Sequence, residues 1–418
     1  MPTTVSPRRI VVVSPVPALE VPLHAGGLLL TRIVRAYLST GAEVTVLIPA
    51  TVANAETLRL HAAAAPTLLL GRPRDHRGAH RTLLTAVHRM QPLLPARGLA
   101  DAPWHFIGDL LLDRSVHALL RSADVVDLQW EEYGHLAPLI RRLAPAASLT
   151  CMFHDVNDQK LGRAVDAAAS PEERHRADER RRINLRRLGR SQRALDRGFV
   201  LSDKDRRLLS KIAPALRLTV VPPPLVDAST PLTDVSARPP VAGFVGALRR
   251  HENRDAAIRL ATRIWPTVHK ARPDAALRII GGGLEDEPRT RLTGIPGVEL
   301  TGFIEDLEEA YAGLRLTVSP LDRGAGVKFK VVESIVRGIP TLTTPVGAEG
   351  IDQGLFALVS DDDEILAHGV LAAMNDDAVA AAAHAAAVRA RRTYGLDVFE
   401  MHYLDAIETT LDVARRSR

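Results

Sequence analysis

Cysteine and lysine are the residue types that this chain of 418 residues has little of. Its single cysteine, Cys151, excludes a disulfide framework and a metal cage built of cysteines, so we expect a reducing, cytoplasmic environment. Lysine and arginine together number 54, but only six of them are lysines, and two of those six, Lys328 and Lys330, lie in one short segment. This clustering indicates a local function for the two lysines.

Long apolar runs are also missing. No run reaches the roughly 18 residues that a membrane-spanning helix requires. Arg8 and Arg9, followed by apolar residues 10–13, resemble the start of a secretion signal, but the run is short and prolines interrupt it. We therefore interpret this segment as a first buried strand.

The net charge of +5 does not by itself predict a nucleic-acid partner. The arginine-dense stretch 174–197 is interspersed with acidic residues, which is typical of a solvated helix. We expect no nucleic-acid binding, whereas peripheral membrane contact stays open. The arginine-rich, lysine-poor composition is typical of bacteria with high-GC genomes.

The length and a hydrophobic content of 46% predict two α/β domains with their own cores. Apolar runs alternate with helical stretches, as in parallel sheets with crossover helices. We predict an N-terminal domain at 1–225, a proline-rich linker at 226–240, a second domain at 241–395 and a C-terminal helix at 396–418 that crosses back. Residues 71–121 carry no clear pattern. The predicted strands are 10–14, 44–48, 125–128, 148–153, 198–201, 241–245, 277–280, 298–301, 316–319, 340–344 and 357–360.

The segment 319–333, which reads SPLDRGAGVKFKVVE, combines a strand end, a glycine loop and a helix start. Glycines allow backbone amides to approach an anion closely, and the helix N-terminus adds a positive dipole. Lysines at that end are unfavourable unless an anion binds. The pattern predicts a diphosphate site; the alternative is a solvated turn with a surface pair between Lys330 and Glu333.

Residues 319–351, SPLDRGAGVKFKVVESIVRGIPTLTTPVGAEGI, resemble the donor-site signature of family 4 glycosyltransferases, also described as glycosyl transferases group 1. The resemblance extends to residues 243–283 and 298–320. It implies a GT-B fold, in which two Rossmann-like, doubly wound parallel-sheet domains face each other across a cleft. It also implies retaining transfer from a UDP- or GDP-linked sugar, with no cofactor and no essential metal.

The resemblance assigns roles in the second domain. Glu333 would bind the ribose hydroxyls, and Lys328 and Lys330 would be catalytic beside the diphosphate. The remaining donor-site candidates are the loop residues Gly324, Ala325, Gly326 and Val327, the strand-end Gly246, and Phe303 and Ile304 at the nucleobase; for Phe303 a place in the core is the alternative.

Two positions depart from the family pattern. Ala325 stands where the family has a glutamate, so Asp322 is a candidate to assist sugar recognition. Ala247 stands where the family has an arginine, and Arg249 or Arg250 would supply that phosphate contact or else be a surface charge.

In the first domain the resemblance points to three residues. Gly26 and Gly27 match the glycine loop under the donor phosphate and sugar. His154 matches a histidine that contacts the transferred sugar, with a purely structural histidine as the alternative.

Asp203 and Asp205 have the spacing of a metal pair, but acidic residues are ordinary at a helix start.

These observations predict a glycosyltransferase whose acceptor is not identified. A secondary metabolite, a lipid carrier and a polysaccharide all remain compatible, and the composition favours the first only by association. The alternatives are a nucleotide-sugar epimerase or phosphorylase on the same fold, or a non-catalytic sugar-nucleotide-binding protein.

Overall fold

The computed structural model describes residues 7–72, 78–90 and 101–416. The chain divides into two compact units, the first formed by Met1–Val221 with Glu400–Arg418 and the second by Pro222–Phe399. The proline-rich segment 226–240 lies in the second unit, where Val226 forms a bridge with Gly395.

The first unit contains a parallel sheet of seven strands in the order β3-β2-β1-β4-β5-β6-β7. Apolar side chains of the central strands are buried on both faces, as in other parallel sheets covered by helices. The strands are β1 (Arg9–Val13), β2 (Glu43–Pro49), β3 (Thr67–Leu70), β4 (Val125–Gln129), β5 (Ser148–Phe153), β6 (Arg197–Val200) and β7 (Leu218–Val220).

Helices of the first unit pack on both faces of this sheet or lie in its connections. They are α1 (Ala25–Ser39), α2 (Val52–Leu60), α3 (Gly78–Met90), α4 (Trp104–Leu112), α5 (Arg114–Ser122), α6 (Glu131–Gly134), α7 (Ala137–Leu143), α8 (Asn157–Asp166), α9 (Pro171–Ser191) and α10 (Asp203–Ile212).

The long helix α9 is mostly solvated. Its buried residues are Asn184, Leu188 and Ser191, and Ser170 caps its start by accepting a hydrogen bond from the amide of Glu173. The prediction of a solvated helix in the arginine-dense stretch is therefore confirmed.

The second unit contains a parallel sheet of six strands in the order β10-β9-β8-β11-β12-β13. All strands predicted from apolar runs are present in the two sheets, whereas β3 and β7 were not predicted. The strands are β8 (Val241–Val245), β9 (Ala276–Ile280), β10 (Val298–Gly302), β11 (Leu316–Ser319), β12 (Thr341–Thr343) and β13 (Leu358–Val359).

Helices of the second unit surround this sheet, and α18 follows. The alanine-rich stretch 363–394 is helical, but it is interrupted at Asp376, whose carboxylate accepts from the amide of Ala378 and so starts a new helix. The helices are α11 (His251–Arg259), α12 (Trp265–Ala271), α13 (Asp286–Thr293), α14 (Leu307–Tyr311), α15 (Phe329–Val336), α16 (Asp363–Asn375), α17 (Asp377–Tyr394) and α18 (Leu396–Arg416), with a π turn at Leu260–Ile264.

Candidate active site

The strand order of the second unit reverses between β8 and β11, which are neighbours in the sheet. The loops that leave the carboxyl ends of these two strands begin at Gly246 and Pro320. In doubly wound sheets ligands bind at this edge and at this reversal of strand order. The glycine loop predicted from the sequence therefore begins where a ligand site is expected.

Close contacts explain the two glycines that directly follow β9. A Cβ atom on Gly281, whose φ is +150°, would lie 1.9 Å from the carbonyl oxygen of Gly246. A Cβ on Gly282 would lie 3.2 Å from Cβ of Phe303. These positions accept no side chain without moving the strand ends, so the glycines maintain the shape of this edge.

Lys328 supports the backbone of the glycine loop. Its Nζ donates hydrogen bonds to the carbonyl oxygens of Ala325 (3.1 Å) and Gly326 (2.6 Å) and lies 3.9 Å from Oε2 of Glu349. Gly324 and Gly326 have positive φ values of 119° and 68°, which favour glycine. Lys328 therefore stabilises the left-handed turn that precedes α15, a role that the sequence did not predict.

Lys330 is the charged centre of this edge. Its Nζ donates a hydrogen bond of 2.7 Å to Oδ1 of Asn253 and lies 4.3 Å from the centroid of the Phe244 ring. Burial lowers the pKa of Lys330 to about 7, and the positive charges of Arg250 and Lys328 act in the same direction. An anion at this position would restore the charged form.

Glu333 lies one turn further along α15 and is 9% exposed. The hydroxyl of Tyr311 donates to its Oε2 at 3.4 Å and to the carbonyl oxygen of Lys330 at 3.1 Å. Burial raises the pKa of Glu333, while Arg337 opposes the rise. The alternative of a solvated surface pair between Lys330 and Glu333 is wrong, because Glu333 is buried and Lys330 is bound to Asn253.

The remaining donor-site candidates of the second unit lie around this edge. Phe303 is 73% exposed, which excludes the alternative that it is a core aromatic, and Ile304 packs against a hydrophobic cluster. Arg249 and Arg250 are exposed. Nε of Arg250 donates to Glu252 at 2.7 Å, and Asp322 accepts from Nε of Arg323 at 3.1 Å.

In the first unit the strand order reverses between β1 and β4. Gly26, in the first turn of α1, and Trp130, directly after β4, come together at this edge: a Cβ on Gly26 would lie 2.7 Å from Cζ2 of Trp130. Trp130 has a φ of +67°, and it is the one non-glycine residue with positive φ in the described part of the chain. Such a conformation is strained and is often found at functional sites.

His154 stacks on Trp130, with ring centroids 3.8 Å apart and 8° between the planes. Nε2 of His154 lies 3.2 Å from Oε1 of Gln129, and the residue is 7% exposed. Burial, together with a smaller contribution from His24, lowers the pKa of His154 to about 3, so the imidazole is neutral at physiological pH. Gly27 donates its amide hydrogen to Nδ1 of His24 at 3.0 Å and so helps to begin α1.

A cavity of about 340 Å³ lies beside α8 in the first unit. It is lined by apolar side chains that include Val156 and Leu208 and by charged ones that include Asp158, Arg181 and Lys211. This volume is in the usual range for small-molecule sites. Val156 follows His154 by two residues, so the cavity begins close to the strand end that carries the histidine.

Sequence reasoning did not identify Trp130, Gln129, Asn253 or Tyr311. Trp130 and Gln129 could have been found from their position at the end of a buried strand, whereas Asn253 and Tyr311 carry no sequence signal. Ser202 caps α10 by accepting from the amide of Asp205, as expected for a helix start. Residues 7–72, 78–90 and 101–416 contain no cluster of three or more metal-ligating side chains.

Known proteins share this fold and, in part, this sequence. Residues 239–382 match the family described as glycosyl transferases group 1, and this segment includes Lys328, Lys330 and Glu333. A curated relative, an uncharacterized 44.6 kDa protein in the cps region of Klebsiella pneumoniae, is 26% identical over 137 residues. The match covers 31% of this chain and 35% of the relative, so it spans about a third of the relative's length.

Two solved structures resemble nearly the whole chain. Sucrose-phosphate synthase from Thermosynechococcus elongatus matches with a TM-score of 0.71 and 16% identity, covering 97% of this chain and 100% of that one. HepE from Anabaena, solved with UDP and glucose, matches with a TM-score of 0.65 and 16% identity. The match covers 96% of this chain and 100% of HepE. The fold is therefore GT-B, as predicted, and the family match is confined to residues 239–382 of the second unit.

Within residues 7–72, 78–90 and 101–416, no helix is both long enough and apolar enough to cross a bilayer.

Proposed function

We propose that the chain is a retaining glycosyltransferase of the family 4 type, which moves a sugar from a nucleoside-diphosphate sugar to an acceptor. The observation that carries this proposal is the half-buried ammonium group of Lys330, hydrogen-bonded to Asn253 at the carboxyl edge of the second sheet and within the matched segment. A lysine with a pKa lowered to about 7 is fully charged near neutral pH when an anion binds beside it. A diphosphate is such an anion.

The donor is bound by the second unit in this proposal. Glu333 accepts hydrogen bonds from two ribose hydroxyls, since one carboxylate can accept both. The amides of Gly326 and Val327 and the ammonium group of Lys330 hold the diphosphate, and Lys328 keeps the loop in shape. Phe303 and Ile304 contact the nucleobase.

UDP is the first nucleotide to test, because HepE, which shares the fold, was solved with UDP. GDP is the alternative. Arg249 or Arg250 adds a phosphate contact, and Asp322 assists sugar recognition near Ala325.

The reaction exchanges one bond at the anomeric carbon of the sugar. The bond from this carbon to the diphosphate oxygen breaks, and the acceptor oxygen forms a new bond from the same face. The acceptor proton passes to the departing diphosphate oxygen. Lys330 and the loop amides stabilise the negative charge that develops on the diphosphate, which is the largest catalytic contribution in this scheme.

The acceptor binds to the first unit in this proposal. The cavity beside α8 has room for a small molecule or one end of a glycan. A secondary metabolite, a lipid carrier and a polysaccharide remain the acceptor classes to test, and the transfer proceeds in the cytoplasm without an essential metal.

A non-catalytic sugar-nucleotide-binding protein is the second candidate. It is favoured by one observation: Ala325 and Ala247 stand at positions where the family has a glutamate and an arginine. Such a protein would bind a nucleotide sugar without releasing the nucleotide.

The first experiment measures binding and turnover separately. Thermal shift with UDP, GDP and uridine shows which nucleotide raises the melting temperature. Incubation with the corresponding nucleotide sugars, with and without EDTA, then measures release of free nucleotide. We expect binding of a nucleoside diphosphate but not of uridine, and slow release of nucleotide that EDTA does not stop.

Three other outcomes contradict the proposal. Conversion of the sugar without nucleotide release would identify an epimerase. Binding without any release, also in the presence of acceptor mixtures, would identify the non-catalytic protein. If no nucleotide raises the melting temperature, the glycine loop does not bind a nucleoside diphosphate.

A further inference from the structure

Asp127 collects four hydrogen-bond donors inside the first unit. Its side chain is on β4 and is 0% exposed. Oδ2 accepts from the hydroxyls of Tyr403 (2.6 Å) and Tyr37 (3.2 Å) and from Nε2 of Gln129 (2.8 Å), and Oδ1 accepts from Oγ1 of Thr150 (2.7 Å). Burial raises the pKa of this carboxyl group, whereas the four hydrogen bonds favour its ionised form, which can only accept hydrogen bonds.

The carboxylate determines the orientation of the Gln129 amide. Because Asp127 accepts, Gln129 must direct its NH2 group towards it, and its carbonyl oxygen then faces the opposite way. That oxygen, Oε1, lies 3.2 Å from Nε2 of His154. An amide oxygen can only accept, so Nε2 of His154 must carry a hydrogen.

A neutral imidazole has one N–H, so a hydrogen on Nε2 leaves Nδ1 as a bare acceptor. Nδ1 faces the place where Gly26 has no side chain: a Cβ on Gly26 would lie 3.6 Å from it. Trp130 covers one face of the same ring at 3.8 Å. A side chain on Gly26 would contact Nδ1 and clash with Cζ2 of Trp130 at 2.7 Å, so the glycine allows the backbone to approach the two stacked rings.

We infer that Asp127, acting through Gln129, holds His154 in the Nε2–H tautomer so that Nδ1 accepts a hydrogen bond from a hydroxyl of the transferred sugar. The identity of this ligand rests on the proposed function, whereas the tautomer does not. Asp127, Gln129 and Tyr403 are thus positioning residues. Tyr403 is on α18, so the last helix contributes to the geometry of the sugar site.

The tautomer can be measured directly on the full-length protein. Two-dimensional proton–nitrogen NMR of ¹⁵N-histidine-labelled protein distinguishes a protonated from a bare ring nitrogen, and the His154→Gln spectrum assigns the signal among the 15 histidines. We expect a hydrogen on Nε2 and a bare Nδ1 throughout the neutral pH range. A hydrogen on Nδ1 in the wild-type protein overturns the inference. This measurement uses the wild-type protein and does not depend on whether variants of Asp127, Gln129 or Tyr403 fold.

Kinetics of Gln129→Met and Tyr403→Phe test the chain of hydrogen bonds from Tyr403 through Asp127 and Gln129 to His154, called the relay below. Gln129→Met removes the amide at similar length, and we expect the tautomer to become mixed. The value of kcat/KM for the nucleotide sugar should fall roughly tenfold while Kd for the free nucleotide stays unchanged. Tyr403→Phe should act in the same direction more weakly.

Tyr133→Phe is the matched control, because Tyr133 is another buried tyrosine of the first unit and packs against Phe106. We expect it to leave kcat/KM and the His154 signal unchanged. If Tyr403→Phe and Gln129→Met behave like Tyr133→Phe in both measurements, the relay is wrong. If the tautomer is as stated but no nucleotide sugar is turned over, the proposed function fails and the positioning of His154 stands.

Discussion

Nζ of Lys330 and Oδ1 of Asn253 are joined by a hydrogen bond of 2.7 Å, although 77 residues separate them in the chain. Asn253 lies in the first turn of α11 and also donates to the carbonyl oxygen of Ala247 at 3.0 Å. The amide therefore connects the loop after β8 with the ammonium group on α15. This contact holds Nζ of Lys330 beside Gly246, 3.2 Å from where a Cβ on that glycine would lie.

Lys330→Ala tests the catalytic role of this charge. We expect kcat/KM to fall by roughly 2–4 kcal/mol, which is about 30- to 1000-fold, because the variant cannot stabilise charge on the leaving diphosphate. Steady-state nucleotide release measures it. Lys270→Ala, which removes an exposed lysine of the same unit, is the control and should change nothing. Equal rates for the two variants would remove Lys330 from the site.

The affinity for nucleoside diphosphate should depend on pH through Lys330. Its pKa in the free protein is lowered to about 7, and a bound anion raises it. Below that pKa the lysine is already charged; above it, binding requires uptake of a proton, so affinity should fall by up to about tenfold per pH unit. Calorimetry in buffers of different ionisation enthalpy measures the proton uptake. Lys330→Arg, charged at all these pH values, should show no such uptake.

Glu333→Gln tests ribose recognition by comparing two ligands. We expect wild-type protein to bind UDP more tightly than its 2′,3′-dideoxy analogue by about 1.5–3 kcal/mol, because a buried carboxyl group loses its partners with the analogue. The variant should bind both ligands with more similar affinity. Titration calorimetry gives the four constants, and an unchanged preference in the variant would place the ribose elsewhere.

Gly26→Ala tests the close packing of Gly26 against the stacked rings of Trp130 and His154. The new Cβ would lie 2.7 Å from Cζ2 of Trp130, so the ring stack must move. We expect lower kcat with an unchanged Kd for free nucleotide. Gly189→Ala is the matched control, because within the described part of the chain nothing lies within 4 Å of its new Cβ. That variant should keep its activity and gain roughly 0.5–1 kcal/mol of stability, measured by chemical unfolding.

Leu208→Trp tests the cavity beside α8 as the acceptor site. The larger side chain should fill part of its roughly 340 Å³ and raise KM for the acceptor. Hydrolysis of the nucleotide sugar without acceptor should not change. Leu112→Trp, at a residue that is 43% exposed, is the control. An unchanged acceptor KM for Leu208→Trp would assign the acceptor to another surface.

Apolar runs predicted most of the two sheets because strands of parallel sheets are buried on both faces and are therefore continuously apolar. The edge strands β3 and β7 were not predicted, since they are short and half-buried. Helices α4 and α5 lie in the stretch for which no pattern was found. Asp113, which caps α5, was a local signal that could have identified that helix. Part of that stretch, 73–77 and 91–100, lies outside the described residues.

The glycine loop and the first turn of α15 were readable from the sequence because their determinants are local. Gly324 and Gly326 accept positive φ, and two lysines and a glutamate follow within a few residues. Lys328 shows the limit of this reasoning. The sequence predicted it as a second diphosphate contact, which stays a prediction, but did not indicate that it donates to Ala325 and Gly326.

The sequence by itself determined the two sheets, the order of most of their strands along the chain and the charged loop at the edge of the second one. Only the tertiary structure decided which side chains meet: Asn253 with Lys330, and Tyr403 and Gln129 with Asp127. Strand and loop formation depend on neighbours within a few residues, which the sequence displays. Hydrogen bonds between residues 77 or 276 positions apart depend on how the sheets and helices pack, and no local pattern encodes them.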